Sequence, residues 1–170
     1  ILLSMLGAVP ASADPAPPSA RLDGIEHLTD SRTALFVYSP SMDTVVQVQV
    51  LHPPTQTPRP TLYLLDGVSA GAESEYREST WTQKTDIVDF FADKNVNVVL
   101  PVGGTGSYYT DWNNPDPVLG TNRWETFLTS ELPPIVDAEM SGNGIDAIGG
   151  VSMGATGAMA LITRHPDLYQ

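Results

Sequence analysis

The chain has 170 residues, 41% hydrophobic and 16% charged, which is one domain's length with enough apolar side chains to bury a core and not the composition of a disordered chain. Its 8 basic against 20 acidic residues give a net charge of −12, which repels phosphate backbones and anionic lipid heads and excludes nucleic acid as a partner. The absence of cysteine rules out disulfides, thiol nucleophiles and Cys-based zinc sites. No His pair has metal-ligand spacing, so neither a metal nor a cofactor is expected.

The chain opens on a short apolar run, Ile1 to Pro10, that ends in Ala11-Ser12-Ala13 and is followed by Asp14-Pro15-Ala16-Pro17-Pro18. An apolar stretch before an Ala-x-Ala site reads as an export signal, residues 1–13, cleaved after Ala13, with a Pro-rich leader over residues 14–32. The run is too short to span a bilayer, so the mature protein is expected in the secreted or cell-envelope fraction. A signal without its charged start or an initiator Met points to sequence missing upstream.

From Thr33 onward the pattern is that of an α/β domain. Ala34–Tyr38 and Thr44–Leu51 read as antiparallel strands, the second alternating Val46, Val48 and Val50 against Gln47 and Gln49. After the Pro/Thr loop from His52 to Pro60, Thr61–Leu65 is a short apolar strand that stops at Asp66-Gly67. Trp81–Asp93 has helical spacing and Val96–Pro101 is the next strand. Gly103-Gly104-Thr105-Gly106 fits neither a dinucleotide fingerprint nor a Walker loop and reads as a close-packed loop. Asn122–Leu132 is a second helix with Asn122 as its cap, to be kinked or restarted at Pro133-Pro134. Strands alternating with helices imply a mainly parallel sheet covered on both faces.

The last pair of elements carries the chemistry. A strand at Ile145–Gly150 runs into Gly150-Val151-Ser152-Met153-Gly154 and then a small-residue helix from Ala155 to Thr163. Gly-x-Ser-x-Gly between a strand and a helix is the pattern of a nucleophile elbow, with Ser152 the nucleophile. The backbone N–H of Met153 and that of Val68, after Leu64-Leu65-Asp66-Gly67, are the expected oxyanion donors. A histidine base and an acid should follow the serine, but only His165 and Asp167 do, in the wrong order and at the end of the elbow's own helix. His165 reads instead as a helix C-terminal residue. The nucleophile half of a hydrolase is therefore present and the base half is missing, as expected either of the N-terminal part of a longer domain, here residues 33–170, which the ending at Leu168-Tyr169-Gln170 favours, or of a degenerate product.

Several runs resemble, in order and spacing, the antigen 85 mycolyltransferases of mycolic-acid bacteria: Leu62-Tyr63-Leu64-Leu65-Asp66-Gly67, Pro101-Val102-Gly103-Gly104, Tyr109-Thr110-Asp111-Trp112, Trp124 to Leu132, and the Ser152 pentapeptide. The resemblance implies an α/β-hydrolase fold cut short after the elbow helix, Ser152 as the acyl-carrying nucleophile, Met153 and Val68 as the oxyanion hole, and Asp66 as a sugar-hydroxyl contact. It implies transfer of a mycoloyl chain between trehalose esters, or to cell-wall arabinogalactan, with hydrolysis by water as the related alternative. A non-catalytic secreted antigen is the third reading if the base is truly lacking. The sequence departs from that family at Ser69, where an arginine commonly helps hold trehalose. It also lacks the cysteine pair some members carry ahead of Trp124, and it diverges from Ile87 to Val96, so fibronectin binding does not carry over.

Overall fold

A computed structural model describes residues 19–169. Its centre is a six-stranded sheet built from β1 (Arg21–Thr29), β2 (Arg32–Ser39), β3 (Thr44–Leu51), β4 (Arg59–Leu65), β5 (Asn97–Val102) and β6 (Gly142–Gly150). The order across the sheet is β1-β2-β3-β5-β4-β6. β5, β4 and β6 are parallel, as the strand–helix alternation requires. β1, β2, β3 and β5 are joined antiparallel, so the sheet is mixed and the parallel part is confined to the half that carries the elbow. The predicted pairing of the second and third strands appears in full, from Arg32 opposite Leu51 to Ser39 opposite Thr44.

β1 lies inside the stretch assigned from sequence to a Pro-rich leader, so the sheet begins at Arg21 and not at Thr33. Two register shifts, between Leu22 and Gly24 and between His27 and Thr29, interrupt the two-residue period that would have marked this edge strand. The proposed signal at residues 1–13 lies outside the described residues.

Between the strands run α1 (Thr80–Lys84), α2 (Ile87–Phe91), α3 (Trp124–Thr126), a π segment at Phe127–Glu131, α4 (Leu132–Met140) and α5 (Met153–Arg164). The single helix expected over 81–93 is two, because Thr85 is extended. Its amide closes α1 on Trp81 O at 3.2 Å, while its hydroxyl also donates to Trp81 O and accepts from Ile87 N at the start of α2. Asn122 does not cap the next helix; its Oδ1 accepts from the Trp124 indole instead. Asp111 provides the cap, taking Thr126 N at 3.1 Å and Thr126 Oγ1 at 2.6 Å. The π segment absorbs the approach to Pro133-Pro134, and α4 restarts with proline in its first turn, where a missing N–H costs nothing.

The alternation of β4 and β5 divides the core. Leu35, Val37, Val48, Tyr63, Leu65 and Val99 meet Trp124, Phe127, Leu128, Leu132 and the Met153–Leu161 face of α5. Val98, Leu100 and Leu51 meet Ile87 on the opposite side, with Leu64 and Trp81 packed against them. Glu131, buried in the π segment, ties the antiparallel half to this layer by accepting from Ser39 Oγ at 2.5 Å and Ser41 N at 3.1 Å.

One core group works against stability at neutral pH. Asp146 of β6 is buried, and its Oδ1 has no hydrogen-bond partner among the described residues. Burial, with the nearby charge of Asp137, pushes its carboxyl up from 3.8 to about 6. A raised carboxyl favours the fold fully below the unfolded value, and that contribution is lost as pH rises through about 6. Asp146→Asn is therefore expected to stabilise the protein at pH 7 by about 1–3 kcal/mol. Denaturant titrations of both proteins between pH 4 and 8 check this. The gain should shrink as pH falls, and a pH-independent difference would contradict it.

Candidate active site

Ser152 stands between β6 and α5 with φ 54° and ψ −118°, a backbone region that L-residues avoid and that persists only where surrounding structure forces it. The forcing elements are visible. Val151 N donates to Leu65 O at 3.2 Å and Gly154 N to Val151 O at 2.9 Å, which closes the turn against the end of β4. A Cβ on Gly150 would sit 2.5 Å from Gly154 C, and one on Gly154 would sit 2.4 Å from Leu65 O and 2.5 Å from Asp66 O. Both glycines are thus demanded by backbone on the other side of the contact. The small residues of α5 continue the fit, since a Cβ at Gly157 would lie 3.0 Å from Tyr109 Cβ.

β4 and β6 are neighbours with parallel register, Leu65 opposite Gly150, so their carboxyl ends deliver Asp66-Gly67-Val68 and Val151-Ser152-Met153 to one place. A Cβ on Gly67 would be 3.8 Å from Ser152 Cβ. No backbone carbonyl among the described residues takes the amide of either Val68 or Met153. Met153 N is in the first turn of α5, where donors are free and the helix dipole favours negative charge. Ser152 itself is exposed at this surface.

Asp66 does not face that surface. Its side chain is fully buried, with Oδ1 accepting from Ser79 Oγ at 2.8 Å and Oδ2 from Thr80 N at 2.9 Å. Burial raises its carboxyl above the usual range, opposed by those hydrogen bonds. Both carboxylate oxygens therefore take bonds inside the protein, which anchors the start of α1, and the side chain expected as a sugar contact has no exposed surface. Sequence reading also passed over Tyr109, whose buried hydroxyl accepts from Asp66 N at 3.1 Å. Nothing in the pattern around Tyr108-Tyr109 signals such a bond.

The three histidines have partners elsewhere. His27 Nδ1 lies 3.2 Å from Thr33 Oγ1, which is 2.9 Å from His52 Nε2. His165 caps the end of α5 and pairs through Nε2 with Glu125 at 2.9 Å, beside Arg164 on the same carboxylate. No described histidine serves Ser152. Among the described residues no group of three His, Cys, Asp or Glu could hold a metal, and no helix is long and apolar enough to cross a membrane.

A family model described as "Putative esterase" matches residues 39–170, which spans β3 through the elbow and α5. The chain belongs to this esterase family. Among its relatives is the diacylglycerol acyltransferase/mycolyltransferase Ag85A of Mycobacterium leprae, 34% identical over 99% of this chain and 47% of that protein. The Ag85B protein of Mycolicibacterium smegmatis is 39% identical over 79% of this chain and 41% of its own length. These matches bear out the antigen 85 resemblance. This esterase chain spans under half the length of those two relatives. The fold is shared with an S-formylglutathione hydrolase from Agrobacterium tumefaciens, TM-score 0.64 at 19% identity, covering 87% of this chain and 58% of that one. It is shared also with a ferulic acid esterase from Anaeromyces mucronatus, TM-score 0.55 at 22% identity over 85% and 57% of the two chains. The α/β-hydrolase expectation thus holds, with a mixed sheet.

Proposed function

We propose that the protein carries the nucleophile half of a serine acyltransferase, in which Ser152 Oγ attacks the carbonyl of an acyl ester. The tetrahedral oxyanion is held by the amides of Met153 and Val68, the ester C–O bond breaks, and the alcohol leaves with a proton while the acyl group stays on Ser152. An acceptor hydroxyl then attacks the acyl-serine and carries the chain away. The observation that carries this reading is the forced geometry of Ser152, φ 54° in a turn walled by Gly150 and Gly154, with the Gly67-Val68 loop against it. The base and acid belong to the part of the domain that the relatives have and this chain does not span, since no described histidine faces the serine. The relatives' names support a mycoloyl or other acyl chain as the group moved; trehalose esters or similar acyl sugars are the donors that this reading assigns. Arabinogalactan is the further acceptor and the cell envelope the place of work.

Hydrolysis is the second reading, and two observations favour it. The loop after β4 has Ser69 where a sugar-binding arginine is common, and Asp66 is buried, so this rim presents neither a guanidinium nor a carboxylate at those two positions. Full-length protein given a trehalose ester and labelled free trehalose separates the two. Label in the ester is the result expected for transfer; free acid alone would leave an esterase and remove the transferase.

A further inference from the structure

The two proposed oxyanion donors sit on different elements, the Met153 amide on α5 and the Val68 amide on the loop after β4, so something must fix the gap between them. One short loop touches both. Tyr108 N–H donates to Met153 Sδ at 3.4 Å, and the hydroxyl of the next residue, Tyr109, accepts from Asp66 N at 3.1 Å. Both tyrosines have positive φ, 57° and 53°, and two consecutive strained residues that are not glycine persist only where their surroundings hold them. Those surroundings are tight. Tyr109 is 1% exposed, its ring meets Trp124 edge-on at 5.6 Å, and α5 closes on it at Gly157. Ser107 braces the loop by donating to Gly104 O at 2.6 Å and accepting from Tyr109 N at 3.0 Å. Asp66 is then held from three directions, by Tyr109 at its amide and by Ser79 and Thr80 at its carboxylate.

We propose that Tyr109, acting through Asp66, is a positioning residue that sets where the Val68 amide stands relative to that of Met153. This inference rests on the acyltransferase reading above, and it gives the buried Asp66 a role other than sugar binding. Tyr109 touches no substrate. Its hydroxyl anchors the backbone two residues before the donor, and its ring is wedged against the helix that carries the other donor. Displacement of a donor by a fraction of an ångström weakens only the bond made when the oxyanion forms, so the loss should fall on kcat and leave KM in place.

The experiment uses full-length protein with p-nitrophenyl butyrate as substrate and phenylboronic acid as a tetrahedral probe. Tyr109→Phe removes one oxygen and keeps the ring. It is expected to lower kcat about 10-fold or more and to weaken boronic acid binding by a similar factor, with KM within about twofold. Tyr63→Phe is the matched control, since that hydroxyl is also buried and has no partner among the described residues; it should leave all three values unchanged. A folded Tyr109→Phe protein whose kcat and boronic acid affinity stay within about twofold of the parent, or whose loss falls on KM, would overturn the proposal. Should Tyr109→Phe not fold, Ser79→Ala must lower kcat at constant KM and Ser79→Thr must restore it, because Ser79 holds the other side of Asp66; the opposite result overturns it equally. A parent enzyme whose turnover does not depend on Ser152 would remove the acyltransferase reading itself, an outcome distinct from normal parent turnover with Tyr109→Phe unimpaired.

Discussion

Ser152→Ala is expected to reduce ester turnover by at least about 10³-fold while leaving the melting temperature near that of the parent. The alanine keeps the Cβ, so the backbone at φ 54°, ψ −118° stays as strained as before. Ser152→Gly is expected to be equally inactive but more stable, because glycine adopts that region without a steric penalty. Relief of a strained residue is worth about 1–2 kcal/mol, or roughly 3–6 °C in Tm for a domain of this size. Calorimetry and turnover on the three proteins test the pair of claims together. If glycine gives no rise over alanine, the turn is not strained as described; if alanine retains turnover, the nucleophile is elsewhere.

Gly154→Ala is expected to damage both the fold and the chemistry. Its new methyl would stand 2.4 Å from Leu65 O and 2.5 Å from Asp66 O. Neither oxygen belongs to a side chain that can rotate away, so the end of β4 must part from α5. The strain should cost about 3 kcal/mol, and the parting moves the Val68 loop, so acylation should fall about 10²-fold through loss of one oxyanion donor. Gly24→Ala is the comparison, because a methyl there meets Phe36 at an ordinary 3.6 Å. Urea unfolding and the rate of labelling by a phosphonate ester provide the readouts. A Gly154→Ala protein as stable and as quickly labelled as the Gly24→Ala protein would show that the elbow is looser than its geometry.

What could be read from sequence was set by whether the signal lay along the chain. The elbow was legible because its requirement is local: two glycines, a serine and a strand–helix context within about a dozen residues. β2 and β3 were legible through Val alternation, and β5 through an apolar run that the structure buries at every position. β1 was not, because its bulges break the period, and its neighbour in sequence is a Pro-rich stretch. The break at Thr85 and the cap from Asp111 were missed for a shared reason. Each depends on a side-chain oxygen finding a backbone group, in the second case fifteen residues away, and composition does not encode that meeting. Asp66 shows the limit most plainly. A carboxylate in a turn beside the serine invites a substrate role, and only the fold reveals Ser79 and Thr80 already occupying it. Tyr109, likewise, is an ordinary tyrosine until the sheet brings Asp66 to its hydroxyl.

The central claim is that Ser152 carries the acyl group. The most direct measurement treats full-length protein with a fluorophosphonate and maps the adduct by peptide mass spectrometry. One phosphonylated peptide containing Gly150 to Gly154 is expected, with the added mass on Ser152 and none on the Ser152→Ala protein. An unlabelled parent protein, or the same label on Ser152→Ala, would contradict it.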